Sequence, residues 1–151
     1  MSRSTASAPR VLYVAEPPAA WLQRPPVVVD CSVLVALLWG EANAADAAAL
    51  LKGRSLHAPS LLRYELANVA RSKRRSGVPA DVVRAGLETY AEQKVALHDA
   101  EPLPLFDLAE RTGLSAYDAA YLWLAAELRA PLATYDRRLG EAAARHLPSL
   151  D

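Results

Sequence analysis

The 151-residue sequence is poor in the residues that build several common kinds of site: it has one cysteine, three histidines and six scattered glycines. A single cysteine, Cys31, excludes an intramolecular disulfide and a zinc site of several thiolates, and we expect it to be a small buried apolar residue. No glycine-rich phosphate-binding loop is present. His57, His98 and His146 have neither metal-ligand spacing nor a nearby nucleophile, so we expect them at the surface or its boundary.

The chain also lacks a net charge and a long apolar run. Seventeen Lys and Arg balance seventeen Asp and Glu, so a polyanion would have to be bound through a local basic patch or a metal ion. No apolar run approaches the roughly 20 residues of a membrane helix, and the N-terminus has no continuous apolar segment typical of a signal peptide. We therefore expect a cytoplasmic protein that binds no membrane.

Predicted strands and helices alternate along most of the chain. Residues 1–26 form a proline-broken lead-in, with a disordered start at 1–10 and a short strand at 11–15, and one domain follows at 27–151. The predicted strands are 27–29, 56–58, 95–97 and 132–135. The predicted helices are 33–39, 43–52, 61–76 with Ser60 as its cap, 79 to about 90, 105–111 after the breakers Pro102 and Pro104, 116–129 with Ser115 as its cap, and 137–146. This order indicates an α/β fold with a mostly parallel sheet.

Four acidic residues stand where a strand or an apolar helix is predicted. Asp30 and Asp136 follow the apolar strands at 27–29 and 132–135, whereas Glu65 and Asp118 lie in the first two turns of apolar helices. Strand ends and the starts of the helices that follow them meet at the carboxyl edge of a parallel sheet, where ligands bind. Gathered carboxylates repel one another unless a cation is bound. The pattern predicts one shared site for Mg²⁺ or Mn²⁺.

Each acid also has a structural interpretation, which stays open at this point. Asp30 and Asp136 are suited to cap the helices that follow them, and Asp118 lies three residues after Ser115, as in a capping box. Glu65 is the hardest to explain structurally, because leucines surround it. Taken together, the four favour a site that activates water for phosphodiester cleavage.

Two hydroxyls and two basic segments accompany these acids. Ser32 and Thr134, each two residues from an acid, are suited to orient a carboxylate or a water, or simply to fill space at the end of an element. The basic run at 71–75 favours a solvated helix C-terminus over contact with RNA or with an acidic partner segment. Arg137 and Arg138, beside the fourth acid, are better placed for a substrate phosphate.

Four stretches together resemble a known family. They are residues 27–32 (VVVDCS), 64–69 (YELANV), 114–125 (LSAYDAAYLWLA) and 132–139 (LATYDRRL). In their order and spacing, from residue 27 to the C-terminus, they resemble the PIN-domain ribonucleases, and specifically the VapC-like toxins of bacterial type II toxin–antitoxin systems. The lead-in at 1–26 departs from that pattern, because many family members begin almost at the first strand.

The resemblance implies a small three-layer α/β/α sandwich and Mg²⁺-dependent endoribonuclease activity. It further implies that Asp30 and Asp118 bind the metal most directly, and that Glu65 and Asp136 complete the acidic pocket. Implied partners are an RNA substrate, a second copy of the chain in a homodimer, and a cognate antitoxin whose C-terminal segment covers the active site.

Three other functions were weighed against this one. A PIN-like RNA-binding or interaction module without catalysis is the main alternative, although a pure binding surface gains nothing from an anionic pocket. A haloacid-dehalogenase-type phosphatase needs a second Asp where Ser32 stands. A receiver domain needs paired acids before its first helix and a late lysine, which the sequence lacks.

Overall fold

The computed structural model of the protein describes residues 24–147. Its strands are β1 (Pro26–Val29), β2 (Ser55–Pro59), β3 (Ala96–His98) and β4 (Leu132–Ala133). Its helices are α1 (Cys31–Leu38), α2 (Ala44–Leu51), α3 (Leu62–Arg75), α4 (Ala80–Glu92), α5 (Pro102–Thr112), α6 (Ala116–Leu128) and α7 (Arg137–His146). The predicted disordered start and the predicted strand at 11–15 lie outside the described residues.

The four strands form one parallel sheet in the order β3-β2-β1-β4. Each connection between strands passes through helices, as parallel neighbours require. These helices flank the sheet, so the predicted α/β/α sandwich with a parallel sheet is confirmed. The chain builds the sheet outward from β1 to β2 and β3, and then returns to place β4 on the other side of β1. The crevice between the carboxyl ends of β1 and β4 is therefore the topological switch point, where open α/β sheets bind ligands.

The core is centred on β1, whose three valines are at most 1% exposed. A strand without polar alternation is typical of burial on both faces, and here that prediction is confirmed. Helix α6 packs on β1 and β2, whereas α1 packs against α2, α3 and α4. Burial of each such valine or leucine side chain contributes about 1.5–3 kcal/mol, which makes this layer the stable platform beneath the switch point.

One predicted helix cap is wrong. Ser60 does not cap α3, because the N-cap position is Leu61, without a side-chain cap. The Ser60 hydroxyl instead donates to the carbonyl of His98, 3.3 Å away, and to the carboxylate of Asp99. Contacts with the end of β3 thus replaced the local cap that the residue type favours. At α2 the N-cap residue is Asn43, whose side chain makes no capping hydrogen bond.

The two prolines predicted to break the chain before residue 105 lie inside a helix instead. Helix α5 begins at Pro102, and Pro104 is also in its first turn. The first N–H groups of a helix have no intrahelical acceptor, so a proline there removes no hydrogen bond. The predicted start of this helix was therefore three residues too late.

One further prediction needs correction. The strand predicted at 132–135 ends at Ala133, because Thr134 and Tyr135 turn to make hydrogen bonds with Asp30 and Ser32. On α4, Val83 is buried, whereas the neighbouring Val82 is 47% exposed. None of the helices between residues 24 and 147 has the length and the apolar character of a membrane span.

The contact between Gly86 and the Trp39 side chain offers a test of the packing. Gly86 of α4 lies against the ring of Trp39, so that a Cβ at this position would be 2.5 Å from Trp39 Cε2. The ammonium group of Lys73 lies over the same ring, 5.3 Å from its centroid. The indole is therefore confined, and there is no space for an additional methyl group.

We expect Gly86→Ala to destabilise the protein by about 1–3 kcal/mol through overpacking, measured as the change in free energy of unfolding in urea. Gly140→Ala in α7 is the matched control, because its Cβ would make an ordinary contact of 3.7 Å with Thr134 Cγ2. Alanine favours a helix over glycine by about 1 kcal/mol, so the control should be neutral or stabilising. Equal effects of the two substitutions would contradict the packing described here.

Candidate active site

Asp30 is the one buried charged residue between residues 24 and 147, with 7% of its surface exposed. It follows β1 directly and caps α1. Its Oδ2 atom accepts hydrogen bonds from the hydroxyls of Ser32, 2.6 Å away, and Thr134, 2.9 Å away, and from the Ser32 N–H at 3.4 Å. Its Oδ1 atom accepts none of the hydrogen bonds found in the described part of the chain. Three hydrogen bonds thus fix Oδ2, whereas Oδ1 has lone pairs available to a cation.

The hydroxyls of Ser32 and Thr134 join the ends of β1 and β4. Ser32 Oγ accepts a hydrogen bond from the N–H of Tyr135, and Thr134 Oγ1 accepts one from the N–H of Asp136, each at 2.9 Å. The main chain adds a bond of 2.9 Å from the N–H of Asp30 to the carbonyl of Ala133. Both hydroxyls therefore contact the Asp30 carboxylate, as predicted for supporting residues, and their catalytic role stays a prediction.

Glu65 reaches the same region from the first turn of α3. Its Oε2 atom accepts a hydrogen bond from the hydroxyl of Tyr121, a completely buried side chain of α6. Burial raises the pKa of Glu65 above its ordinary value, the Tyr121 bond opposes this shift, and the charges of Asp30 and Asp118 add to it. The same bond and burial raise the pKa of Tyr121, which therefore stays a neutral donor.

Sequence reasoning missed Tyr121. The signal was its position three residues after Asp118, which places both side chains on one face of α6. A buried tyrosine hydroxyl needs a hydrogen-bond partner. In the sequence, the candidate partner was Glu65, an acid among leucines on another helix, but its distance from Tyr121 in the chain concealed the pairing.

Asp118 and Asp136 stand at the starts of α6 and α7. The hydroxyl of Ser115 accepts a hydrogen bond of 3.1 Å from the Asp118 N–H and so caps α6, as predicted. Helix α6 ends where β4 begins, so its first turn lies at the carboxyl edge of the sheet. Asp136 caps α7, with its Oδ1 atom 2.8 Å from the N–H of Leu139. The capping interpretation of Asp136 is therefore correct, and it uses one carboxylate oxygen. At α6 the Ser115 hydroxyl is the cap, and no hydrogen bond among the described residues runs from the Ser115 N–H to the Asp118 carboxylate to complete a capping box.

Electrostatics link all four acids. Burial raises the pKa of Asp118, and the charges of Asp136 and Asp30 raise it further, while the nearby Ser115 hydroxyl and Arg138 guanidinium favour the charged form. The Asp30 charge acts on both Glu65 and Asp118. The thiol of Cys31 is buried beside them, and burial with the charges of Glu65 and Asp30 raises its pKa to about 12, so it is an inert thiol, as predicted.

The donor set suits a hard divalent cation. Within residues 24–147, no three carboxylate, imidazole or thiol groups stand close enough to cage an ion by themselves. Mg²⁺ is ordinarily held by one or two carboxylates, with waters and substrate phosphates as the remaining ligands. The free oxygen of Asp30 and the neighbouring Asp118 carboxylate fit that kind of open site. Ligation of one metal ion by all four acids stays a prediction.

The histidines and basic residues singled out in the sequence make no hydrogen bond or ion pair with the four acids among the described residues. His57 and His98 are half-buried, at the boundary of the surface as predicted, with His57 Nδ1 2.9 Å from His98 Nε2 across β2 and β3. Arg137 pairs with Glu141 at 2.8 Å on the surface. Arg138 donates to the carbonyl of Gly113 at the end of α5, and its charge acts on Asp118. Neither histidine contacts the acidic residues.

The basic run of α3 lines a groove between α3 and α4. This groove has a volume of about 510 Å³ and is lined by small apolar residues and four arginines, namely Ala67, Ala70, Arg71, Arg74, Arg75, Ala80, Val83, Arg84 and Leu87. Neither ion pair found among residues 24–147 involves these arginines. The predicted role of the basic run, a solvated helix C-terminus, does not explain why these arginines border an apolar groove.

Comparisons with known proteins agree with the fold. Residues 27–145 match the family model of the PIN domain. The chain is 33% identical over 128 residues to VapC ribonuclease Mb0985 of Mycobacterium bovis and to ribonuclease VapC9 of Mycobacterium tuberculosis, covering 81% of this chain and 94% of each relative. It is 31% identical over 121 residues to ribonuclease VapC3 of Pyrobaculum aerophilum, covering 76% of this chain and 92% of that protein.

A solved structure shares the architecture. The crystal structure of PAE2754 from Pyrobaculum aerophilum superposes with a TM-score of 0.64 at 26% identity, covering 79% of this chain and 80% of that chain. The chain belongs to the PIN-domain family as a VapC-like member, and the predicted resemblance is confirmed.

The crowding of acids generates a stability prediction. Because the folded-state pKa of Glu65 is raised, the folded protein binds more protons than the unfolded chain just above the ordinary carboxylate pKa, and stability falls as pH rises through that window. At neutral pH without divalent metal, Glu65→Gln should therefore raise the Tm, by about 2–4 °C for each kcal/mol gained. The difference from wild type should shrink as pH falls below the ordinary pKa of glutamate. A lower Tm for the variant at neutral pH would contradict this account.

Proposed function

We propose that the protein is a metal-dependent endoribonuclease and the toxin of a toxin–antitoxin pair. The observation that carries this proposal is the buried Asp30 at the switch point, with the charges of Glu65 and Asp118 coupled to it and that of Asp136 coupled to Asp118. The relatives are named ribonucleases, which supports the same reaction class. We infer that the activity is cytoplasmic and that two copies of the chain associate.

Asp30 and Asp118 would hold a Mg²⁺ or Mn²⁺ ion most directly, and Glu65 and Asp136 would complete its surroundings. When bound, such an ion supplies positive charge that activates a water and stabilises the negative charge that develops on the phosphate. A protein nucleophile is then unnecessary, in agreement with the inert thiol of Cys31.

The residues of the chain itself position this chemistry. Three hydrogen bonds to Oδ2 fix the Asp30 carboxylate in one orientation, and Oδ1 receives none from the described residues. The hydrogen bond from Tyr121 favours the charged form of Glu65 and opposes part of the rise in pKa that burial causes. Arg138 favours the charged form of Asp118. Such supporting contacts typically change metal affinity or activity by 10–100-fold when removed.

A PIN-like module without catalysis is the second candidate. It would explain the fold equally well. It gives no reason, however, for the raised pKa values of Glu65 and Asp118, which lower the stability of the folded protein at neutral pH. Perturbed carboxylates in one crevice are more typical of a functional site.

We expect Asp30→Asn and Asp118→Asn each to lower RNA cleavage by at least about 100-fold with the fold retained, because the metal loses a charged ligand. The assay is cleavage of a labelled RNA panel that includes transfer RNAs, with Mg²⁺ or Mn²⁺ and with EDTA. Asp107→Asn is the matched control, since Asp107 is an exposed residue of α5 away from the site.

Circular dichroism and thermal unfolding establish that each variant is folded. Metal-dependent cutting that survives in both site variants would refute the assigned roles. A folded wild-type protein that binds RNA but cuts none of the panel would favour the non-catalytic module.

The groove between α3 and α4 supports the proposed antitoxin partner. Its apolar floor and its arginines suit an amphipathic segment that carries acidic residues, because charge complementarity both steers and orients such a segment. We propose that part of the antitoxin binds there, in addition to the segment expected over the acidic pocket.

The double variant Arg71→Glu/Arg75→Glu should weaken binding of the antitoxin by about 10-fold or more, since like charges would then face each other. The binding partner to use is the product of a small reading frame directly upstream, measured by calorimetry. Arg145→Glu, at an exposed position in the last turn of α7, is the control. Unchanged affinity of the double variant would exclude the groove as the binding surface.

A further inference from the structure

Three of the four acids are directly preceded by an exposed tyrosine. Tyr64 precedes Glu65, Tyr117 precedes Asp118 and Tyr135 precedes Asp136, and their exposed fractions are 70%, 69% and 43%. Isolated exposed aromatic residues are common on protein surfaces. Three that border one acidic pocket form an arrangement that neither the fold nor the proposed metal site explains.

Tyr135 differs from the other two tyrosines because it is tied down. Its hydroxyl donates to the carbonyl of Asn43 at 3.1 Å, and its N–H donates to Ser32 Oγ at 2.9 Å. This residue therefore joins the exit of β4 to the start of α2, which accounts for its place. In the described part of the chain, the side chains of Tyr64 and Tyr117 make no hydrogen bond.

Tyr64 and Tyr117 line one pocket beside the acids. The pocket lies between α3 and α6, has a volume of about 460 Å³, and is lined by Leu61, Tyr64, Glu65, Asn68 and Tyr117. This volume is within the range of pockets that hold small ligands. Its walls combine two aromatic rings, one aliphatic side chain, one amide and the carboxylate of Glu65. It therefore opens directly onto the proposed catalytic centre.

We propose that this pocket holds one unpaired base of the RNA, adjacent to the phosphate bound at the acidic residues. This inference rests on the proposed function and adds to it a subsite for one base, formed by Tyr64, Tyr117 and Asn68. A planar, uncharged base can stack on the tyrosine rings, and such stacking is tolerant of base identity. The amide of Asn68 has both donors and an acceptor, so it is the residue that would distinguish one base edge from another.

A base is a better occupant than a duplex or an acidic protein segment. Bases within an A-form duplex are stacked and present only their edges, so none can enter between two side chains. An acidic segment would bring its charge against Glu65 inside the pocket, where like charges repel. The polar edge of a base instead offers N–H donors to this carboxylate.

The test uses a single-stranded RNA decamer with 2-aminopurine at its centre and randomised flanking positions, titrated with Mg²⁺ present into the cleavage-deficient Asp30→Asn protein. Stacking of 2-aminopurine on a tyrosine quenches its fluorescence. We expect quenching in this parent, and binding about 5- to 100-fold weaker, without quenching, once Tyr64→Ala or Tyr117→Ala is added. Tyr64→Phe and Tyr117→Phe should retain both signals, because a phenyl ring still stacks.

Phe106→Ala is the matched control, because Phe106 is an exposed aromatic residue of α5, 60% exposed and not part of the pocket. The same decamer annealed to its complement should bind without quenching. In the wild-type protein, Tyr64→Ala should also lower cleavage of single-stranded RNA, with Tyr64→Phe restoring it.

The outcomes separate this inference from the proposed function. RNA binding and quenching that are unaffected by both alanine substitutions would overturn the base pocket while leaving the nuclease proposal intact. Normal RNA binding by these variants, together with weakened antitoxin binding, would assign the tyrosines to the protein partner and would also overturn it. Absence of RNA binding by every variant, and of cleavage by the wild type, would count against both proposals.

Discussion

The geometry of the site depends on the junction between β1 and β4, where Asp30 stands. Its N–H donates to the carbonyl of Ala133, and its carboxylate accepts a hydrogen bond from the hydroxyl of Thr134, a residue 104 positions later in the chain. Because one oxygen receives all three side-chain and backbone donors, the carboxylate orientation is set by the fold before any ligand arrives. The bonds of Thr134 and Tyr135 at this junction also end β4 after two residues. Capping of α1 uses Oδ2 of Asp30, so that Oδ1 has no hydrogen bond from the described residues.

The acids around this junction oppose the stability of the fold. Burial and mutual repulsion raise the pKa of both Glu65 and Asp118. Groups of this kind make the folded state less stable at neutral pH than it would be with neutral side chains. The buried valines of β1 and the leucines around them supply the stability that tolerates this strain. A cation that binds only the folded arrangement would reverse the effect by mass action, so metal binding and folding are linked in the proposed function.

The sequence predicted the parts of this protein that local pattern determines. The unbroken valines of β1 indicated a buried parallel strand, and the edge to which Asp30 and Asp136 belong followed from the strands before them. What could not be predicted depends on partners distant in the chain. The hydroxyl of Tyr121 can bond Glu65 only once α6 packs beside α3. The hydroxyl of Ser60 does not cap α3 because the carbonyl of His98 at the end of β3 accepts its hydrogen bond instead. The prolines of α5 were misread for a different reason, because the first turn of a helix tolerates what its interior does not.

The neutral net charge of the chain shapes how a polyanion can be bound at an acidic crevice. Without a global positive field, RNA would be repelled from these carboxylates unless a cation first neutralised them. On the proposed function, metal and RNA must therefore bind with positive coupling, each raising the affinity of the other. On the base-pocket proposal, stacking of a base on Tyr64 and Tyr117 adds affinity for RNA without adding charge, so it does not increase the repulsion between RNA and the acids. The four arginines of the α3–α4 groove are absent from the charges that shift the pKa values of Glu65 and Asp118, and among residues 24–147 Arg138 is the one arginine that acts on either of these two acids. On the proposed function, the metal supplies the remaining positive charge that RNA binding requires.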